Sequence, residues 1–160
     1  MKNSTDIGVP PRPAELPPDR LLAEDHRRLD RSFAALIVRA QGGDPIQLRA
    51  EWQAFERGLL DHLDLEEQEI LPGFARDNAQ DAEMIRREHA AIRETLVEMG
   101  MDLDLHLLRA DAVQSFCDRL RAHAAREEAA LYPWASGNVP RGQWAALGRR
   151  LSKAGNRRAD

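Results

Sequence analysis

Six residues of this chain are of types that bind metal ions and recur at spacings that let them meet: His26, His62, Glu66, His89, His123 and Glu127. His62 stands four residues ahead of Glu66 in "HLDLEEQEILP", and His123 stands four residues ahead of Glu127 in "HAAREEAALYP". On a helix, side chains at i and i+4 share a face with Cβ atoms about 6 Å apart, so an imidazole nitrogen and a carboxylate oxygen converge on one ion. Two such pairs, each joined by one more histidine, offer four nitrogens and two carboxylates. That inventory suits two first-row metal ions, with the carboxylates bridging and water-derived ligands filling the open positions. His26 precedes His62 by 36 residues and His89 precedes His123 by 34, so the chain reads as an internal repeat of helical hairpins.

The elements that must position these residues are helices. The chain has 160 residues, enough for one domain, and only 5% aromatics against 31% charged residues, a composition of long amphipathic helices. Pro10, Pro11, Pro13, Pro17 and Pro18 fall in a leader without apolar period, so residues 1–18 are expected to form a Pro-rich N-terminal arm, extended or disordered. The first helix is expected from Asp19 to about Ala40, ended by "QGGD". The second opens with Asp44 as cap and Pro45 at its first position and stops before Pro72 and Gly73. The third starts around residues 78–81 and ends near Gly100, and the fourth runs from about Leu107 to Tyr132. A shorter fifth helix follows Pro140 and covers one end through Trp144 and Leu147. Short connections predict an all-α, up-down-up-down four-helix bundle over residues 19–135, followed by a C-terminal helix and tail over 136–160.

Each proposed ligand falls on the inward stripe of its helix, where a plain core would place apolar residues. Counting rises of about 1.5 Å per residue from the turns puts the paired histidines within about one and a half helical turns of one another in height, so all four imidazoles can meet in one layer.

With those motifs in hand, "EDHRRL", "HLDLEEQEILP", "REHAAI" and "HAAREEAALYP" together resemble the hemerythrin-like, or HHE, cation-binding domain over about residues 19–135. The resemblance implies a four-helix bundle holding two iron ions in an oxo- or hydroxo-bridged centre. It also implies His26, His62, Glu66, His89, His123 and Glu127 as ligands, with Glu66 and Glu127 bridging. The oxygen carriers of that family place a second histidine four residues after the one on the third helix, where this chain has Arg93, and a carboxylate at the position of Glu128. The closer resemblance is to HHE proteins linked to iron or oxygen sensing, nitric oxide response and iron-sulphur cluster repair.

Other residues carry plainer expectations. Asp25, Asp61 and Glu88 precede proposed ligands but diverge from them by about 100° around the helix, so they are expected at the rim. Glu67 and Glu128 are expected as exposed second acids, His106 as a loop residue, Cys117 as a buried thiol, and Tyr132 with Trp134 as closing the bundle end. Zinc and manganese suit the same donors as iron. The expected partner is a small diatomic ligand, dioxygen or nitric oxide, or iron itself. Redox enzymology at the same centre and a metal-free helical interaction module are the alternatives. A sensor would be read out by a separate partner or across a homodimer interface. A net charge of −4 gives nothing global to attract nucleic acid or anionic lipid, and no apolar run suits a membrane span. A lone cysteine fits a reducing compartment, and a cytoplasmic location is the expectation.

Overall fold

The computed structural model describes residues 18–40 and 44–156, so the expected N-terminal arm lies outside the described residues but for Pro18. Everything described is helix or short connection, with no strand among the described residues: α1 (Pro18–Ala40), α2 (Pro45–Glu69), α3 (Leu71–Asp77), α4 (Ala79–Asp104), α5 (Ala110–Ala129), α6 (Leu131–Asn138) and α7 (Arg141–Asn156). α2 starts as its sequence requires. The Asp44 side chain accepts from the Ile46 amide at 2.9 Å, and Pro45, which has no N–H to satisfy, occupies the first turn.

Two of the long helices, α2 and α5, are shorter at their far ends than their periodicity implies. α2 breaks at Ile70 (φ −115°, ψ −53°), and the chain re-enters a helix that contains Pro72 and Gly73. α5 begins at Ala110 and breaks at Ala130 (φ −124°, ψ −58°), so Tyr132 belongs to α6 and not to the fourth long helix. Pro72 and Pro133 explain both outcomes. Each sits in the first turn of a new helix, where a missing N–H costs nothing, whereas inside a continuous helix each would remove a hydrogen bond. α4 outlasts its expected end and reaches Asp104, after which exposed His106 takes a left-handed conformation (φ 59°) just beyond the C-cap.

α1 packs on α2 and α5, and α4 packs on the same two helices, so the four long elements enclose a common interior. Two apolar clusters divide that interior. Leu22, Leu65, Ile70, Phe74, Ile85 and Leu131 belong to one; Leu29, Phe33, Phe55, Leu63, Ile92 and Phe116 belong to the other. Burial of such side chains contributes about 1.5–3 kcal/mol each, which offsets the cost of placing a polar layer between them. On α1 that layer falls at His26, between Leu22 and Leu29; on α4 it falls at His89, between Ile85 and Ile92.

α7 covers the first cluster as expected, with Trp144 and Leu147 both buried, and Arg150 ties it to Glu69 at the end of α2 at 2.9 Å. At the same end Trp134 packs edge-on against Phe74 and donates to Asp77 at 2.9 Å. A Cβ on Gly73 would come within 2.7 Å of the Trp134 ring. Gly73→Ala is therefore expected to displace the indole and cost about 1–3 kcal/mol, read as a lowered midpoint in urea unfolding. No described helix is long and apolar enough to cross a membrane.

Candidate metal centre

The polar layer brings together all six residues singled out by type and spacing. His62, Glu66, His89, His123 and Glu127 are buried, while His26 keeps 11% of its side chain exposed. They divide into two quartets, each able to hold one ion: His26, His62, Glu66 and Glu127, and Glu66, His89, His123 and Glu127. Within each quartet the donor atoms lie within 4.8 Å of one another.

Both carboxylates belong to both quartets, and each turns one oxygen toward each. Glu66 places Oε1 3.3 Å from His62 Nε2 and Oε2 3.5 Å from His89 Nε2. Glu127 places Oε2 3.2 Å from His26 Nε2, and Oε1 3.1 Å from the Nε2 atoms of both His89 and His123. All four imidazoles thus aim Nε2 inward. Glu66 Oε2 and His123 Nε2 are fully buried without a hydrogen-bond partner, a costly state that a cation between them would relieve. The donor set and its orphaned atoms fit a pair of first-row ions.

The outward nitrogens are held just as systematically, by residues that sequence spacing had assigned to the rim. Asp25 Oδ2 accepts from His62 Nδ1 at 2.9 Å, and Glu88 Oε2 accepts from His123 Nδ1 at 2.9 Å. Glu67 Oε1 accepts from His89 Nδ1 at 2.9 Å, and Glu128 Oε1 from His26 Nδ1 at 3.3 Å. Because a carboxylate only accepts, each of these bonds puts the proton on Nδ1 and leaves the Nε2 lone pair for an ion. The rim expectation holds for Asp61, which is exposed, but fails for Asp25 and Glu88. They diverge from the histidine on their own helix and reach the one on the next. The second acids Glu67 and Glu128 do the same across the two hairpins.

Three of the four carboxylates are themselves fixed by arginine. Arg28 holds Asp25 at 2.7 Å, Arg93 holds Glu67 at 3.0 Å, and Arg126 holds Glu88 at 2.8 Å. Arg93 therefore fixes the carboxylate that holds His89. Among the described residues Glu128 bonds only His26, the most exposed of the four imidazoles.

Tyr132 is the residue that sequence reading placed furthest from its observed position. Its hydroxyl lies inside the first quartet and donates to Glu66 Oε1 at 2.7 Å. On an uninterrupted helix a residue five positions after Glu127 would lie about 140° away around the axis. The break at Ala130 brings it back. The two "EE" pairs and the acids ahead of His26 and His89 were a readable signal for the outer carboxylates, although Asp61 ahead of His62 shares the pattern and is exposed; no local pattern marks the tyrosine.

The charges of this cluster set one another's proton affinity. Burial alone would push His62 down, but Glu66 and Asp25 outweigh it and hold the imidazole well above its ordinary value. Burial likewise opposes protonation of His89, yet Glu127 and Glu66 raise it to about 9. Glu127, despite its burial, is held well below the usual carboxylate range by His123, His26 and His89. Protons thus stand in for cations when the centre is empty. A raised histidine stabilises the fold fully below its unfolded value of about 6.5 and loses that contribution as pH rises through the folded value. A depressed carboxylate contributes above about 4.5 and loses as pH falls. Chelator-treated protein is therefore expected to melt highest in mild acid and progressively lower toward pH 9, while metal affinity rises over the same interval. Thermal melts and metal titrations across that range check both signs.

Helical bundle and buried histidine-carboxylate cluster together define a helical protein whose interior groups could hold a cation. Residues 18–135 match the hemerythrin HHE cation binding domain, and the chain belongs to that family. No match is found among curated proteins or among solved structures.

Proposed function

We propose that this chain is a non-haem dinuclear iron protein whose centre binds or senses dioxygen or nitric oxide. Its domain is read as an up-down-up-down bundle over residues 19–135, with a Pro-rich N-terminal arm before it and a short helix after it. His26 and His62 would hold one ion and His89 and His123 the other, with Glu66 and Glu127 shared between them. The observation that supports this most directly is the split of both buried carboxylates, one oxygen toward each pair of imidazoles. Bound iron supplies an open position for a diatomic ligand and a change of oxidation state on which a response can be built.

The protein's own contribution is orientation and access. The four outer carboxylates fix the imidazole tautomer and ring direction, and the apolar clusters above and below keep bulk water away. A cavity of 430 Å³ between α1 and α5 reaches His26, His62 and His123, past Leu29, Phe33 and Cys117. Its lining joins apolar side chains such as Leu29, Phe33 and Leu63 to the charged Arg27, Arg31 and Arg121, so it offers a small ligand access to the histidines without selecting against charge. Metal content with the visible spectrum, in air and after reduction, tests the assignment. Two irons per chain with near-ultraviolet charge-transfer bands that bleach on reduction are expected. A metal-to-protein ratio near zero after reconstitution with ferrous iron overturns it.

A further inference from the structure

The two halves of the centre are not equivalent, and the difference is one oxygen atom. The hydroxyl of Tyr132 lies 2.7 Å from Glu66 Oε1, 2.9 Å from His26 Nε2, 3.4 Å from His62 Nε2 and 3.4 Å from Glu127 Oε2. Those are the four donor groups of the first quartet. Among the described residues no such oxygen is bonded to His89 Nε2 or His123 Nε2 beyond the shared carboxylates, and it is on that side that Glu66 Oε2 and His123 Nε2 lie without a hydrogen bond.

We propose that Tyr132 is a direct ligand, as phenolate, of the metal ion held by His26 and His62, so that this ion has five protein donors and its neighbour four. The inference rests on the dinuclear reading above and adds a ligand to it. Metal–ligand bonds of about 2.1 Å at right angles separate neighbouring donor atoms by about 3 Å. The hydroxyl stands at such a separation from all four donors, as a fifth ligand would. It is too far from each to occupy the ion's own place.

Hydrogen bonding alone accounts poorly for the arrangement. A phenol has one proton to donate, and the Glu66 contact uses it. The Tyr132 side chain belongs to the first apolar cluster, and its hydroxyl is what enters the polar layer. Tyr132 is 1% exposed and its ring lies 5.3 Å from that of His26. Counted along the repeated phrase, the position matching Tyr132 is Leu71, which is fully buried and has no oxygen to offer. The repeat therefore writes the asymmetry into the sequence. On coordination an oxygen–metal bond forms, the phenolic O–H bond breaks, and the proton leaves to solvent.

Tyr132 is the only tyrosine in the chain, which makes the test unambiguous. Protein stripped of metal is reconstituted with ferrous iron, exposed to air, and measured for iron content, visible absorption and resonance Raman scattering. Two irons per chain are expected, with a visible phenolate-to-ferric charge-transfer band whose excitation enhances tyrosinate ring and C–O modes. Tyr132→Phe is expected to keep its iron and lose the band entirely. Wild-type protein with two irons but no tyrosinate modes overturns the ligand assignment and leaves the dinuclear reading standing. So does a band that survives in Tyr132→Phe. Failure of wild-type protein to take up iron overturns both. Should the variant not fold, the wild-type Raman spectrum decides by itself.

Discussion

Glu66→Ala is expected to abolish binding at both metal positions, because the carboxylate it removes faces both pairs of imidazoles. His123→Ala, by contrast, removes a donor from one quartet only and is expected to retain about one ion per chain. The ratio of the two stoichiometries is the discriminating result. Loss of equal amounts of metal from both variants would mean that the carboxylate is not shared. Stability follows metal. An ion present at about 1,000 times its dissociation constant adds about 4 kcal/mol to the folded state, and Glu66→Ala forfeits that contribution for both. Removing a buried carboxylate that faces His62 and His89 costs about a further 3–5 kcal/mol near neutral pH, since the imidazoles would have to give up their protons or remain charged without a partner. Calorimetry with and without chelator separates the two terms.

The second large effect is expected at a residue outside both quartets. Asp25 is buried between Arg28 and His62, with Oδ1 2.7 Å from the arginine and Oδ2 2.9 Å from the imidazole. Despite its burial its pKa is lowered, because both neighbours favour the charged form. Asp25→Ala leaves the guanidinium without its carboxylate and frees His62 to rotate or to move its proton to Nε2, where an ion would have to displace it. Metal affinity is expected to fall about 10- to 100-fold, and thermal stability to fall even in the absence of metal. Glu128→Gln is the control. Its carboxylate is half-exposed, carries no arginine and lies 3.3 Å from His26, so the same measurements are expected to move much less. Equal losses in both variants would show that burial and the arginine clamp add nothing.

Particular residues show how far one dimension carries the reading. His62 with Glu66, and His123 with Glu127, were legible because i to i+4 on a helix is a fixed geometry that needs no tertiary information. His26 and His89 were legible from the repeat and from their places in apolar stripes. The burial of Trp144 and Leu147 followed from periodicity alone. The roles of Asp25, Glu67, Glu88 and Glu128 were not, because each acts on an imidazole of a different helix. Local spacing reports only where such a side chain points relative to its own helix.

Helix ends were the other weak point, and for Tyr132 they mattered most. Apolar period continues across Ile70 and Ala130, so nothing in it marks a break; Pro72 and Pro133 could be read as stops or as first-turn residues of a following helix, and the fold uses them as the latter. What the sequence by itself determined is the class of protein: a helical bundle, its polar layer, and the six side chains that meet there, all of which follow from helical periodicity and the repeat. Only tertiary structure decided which carboxylate holds which imidazole, which oxygen faces which quartet, and that the sole tyrosine enters one quartet and not the other. Those are relations between helices, set by their rotation and height and by a backbone break that a one-dimensional period does not record.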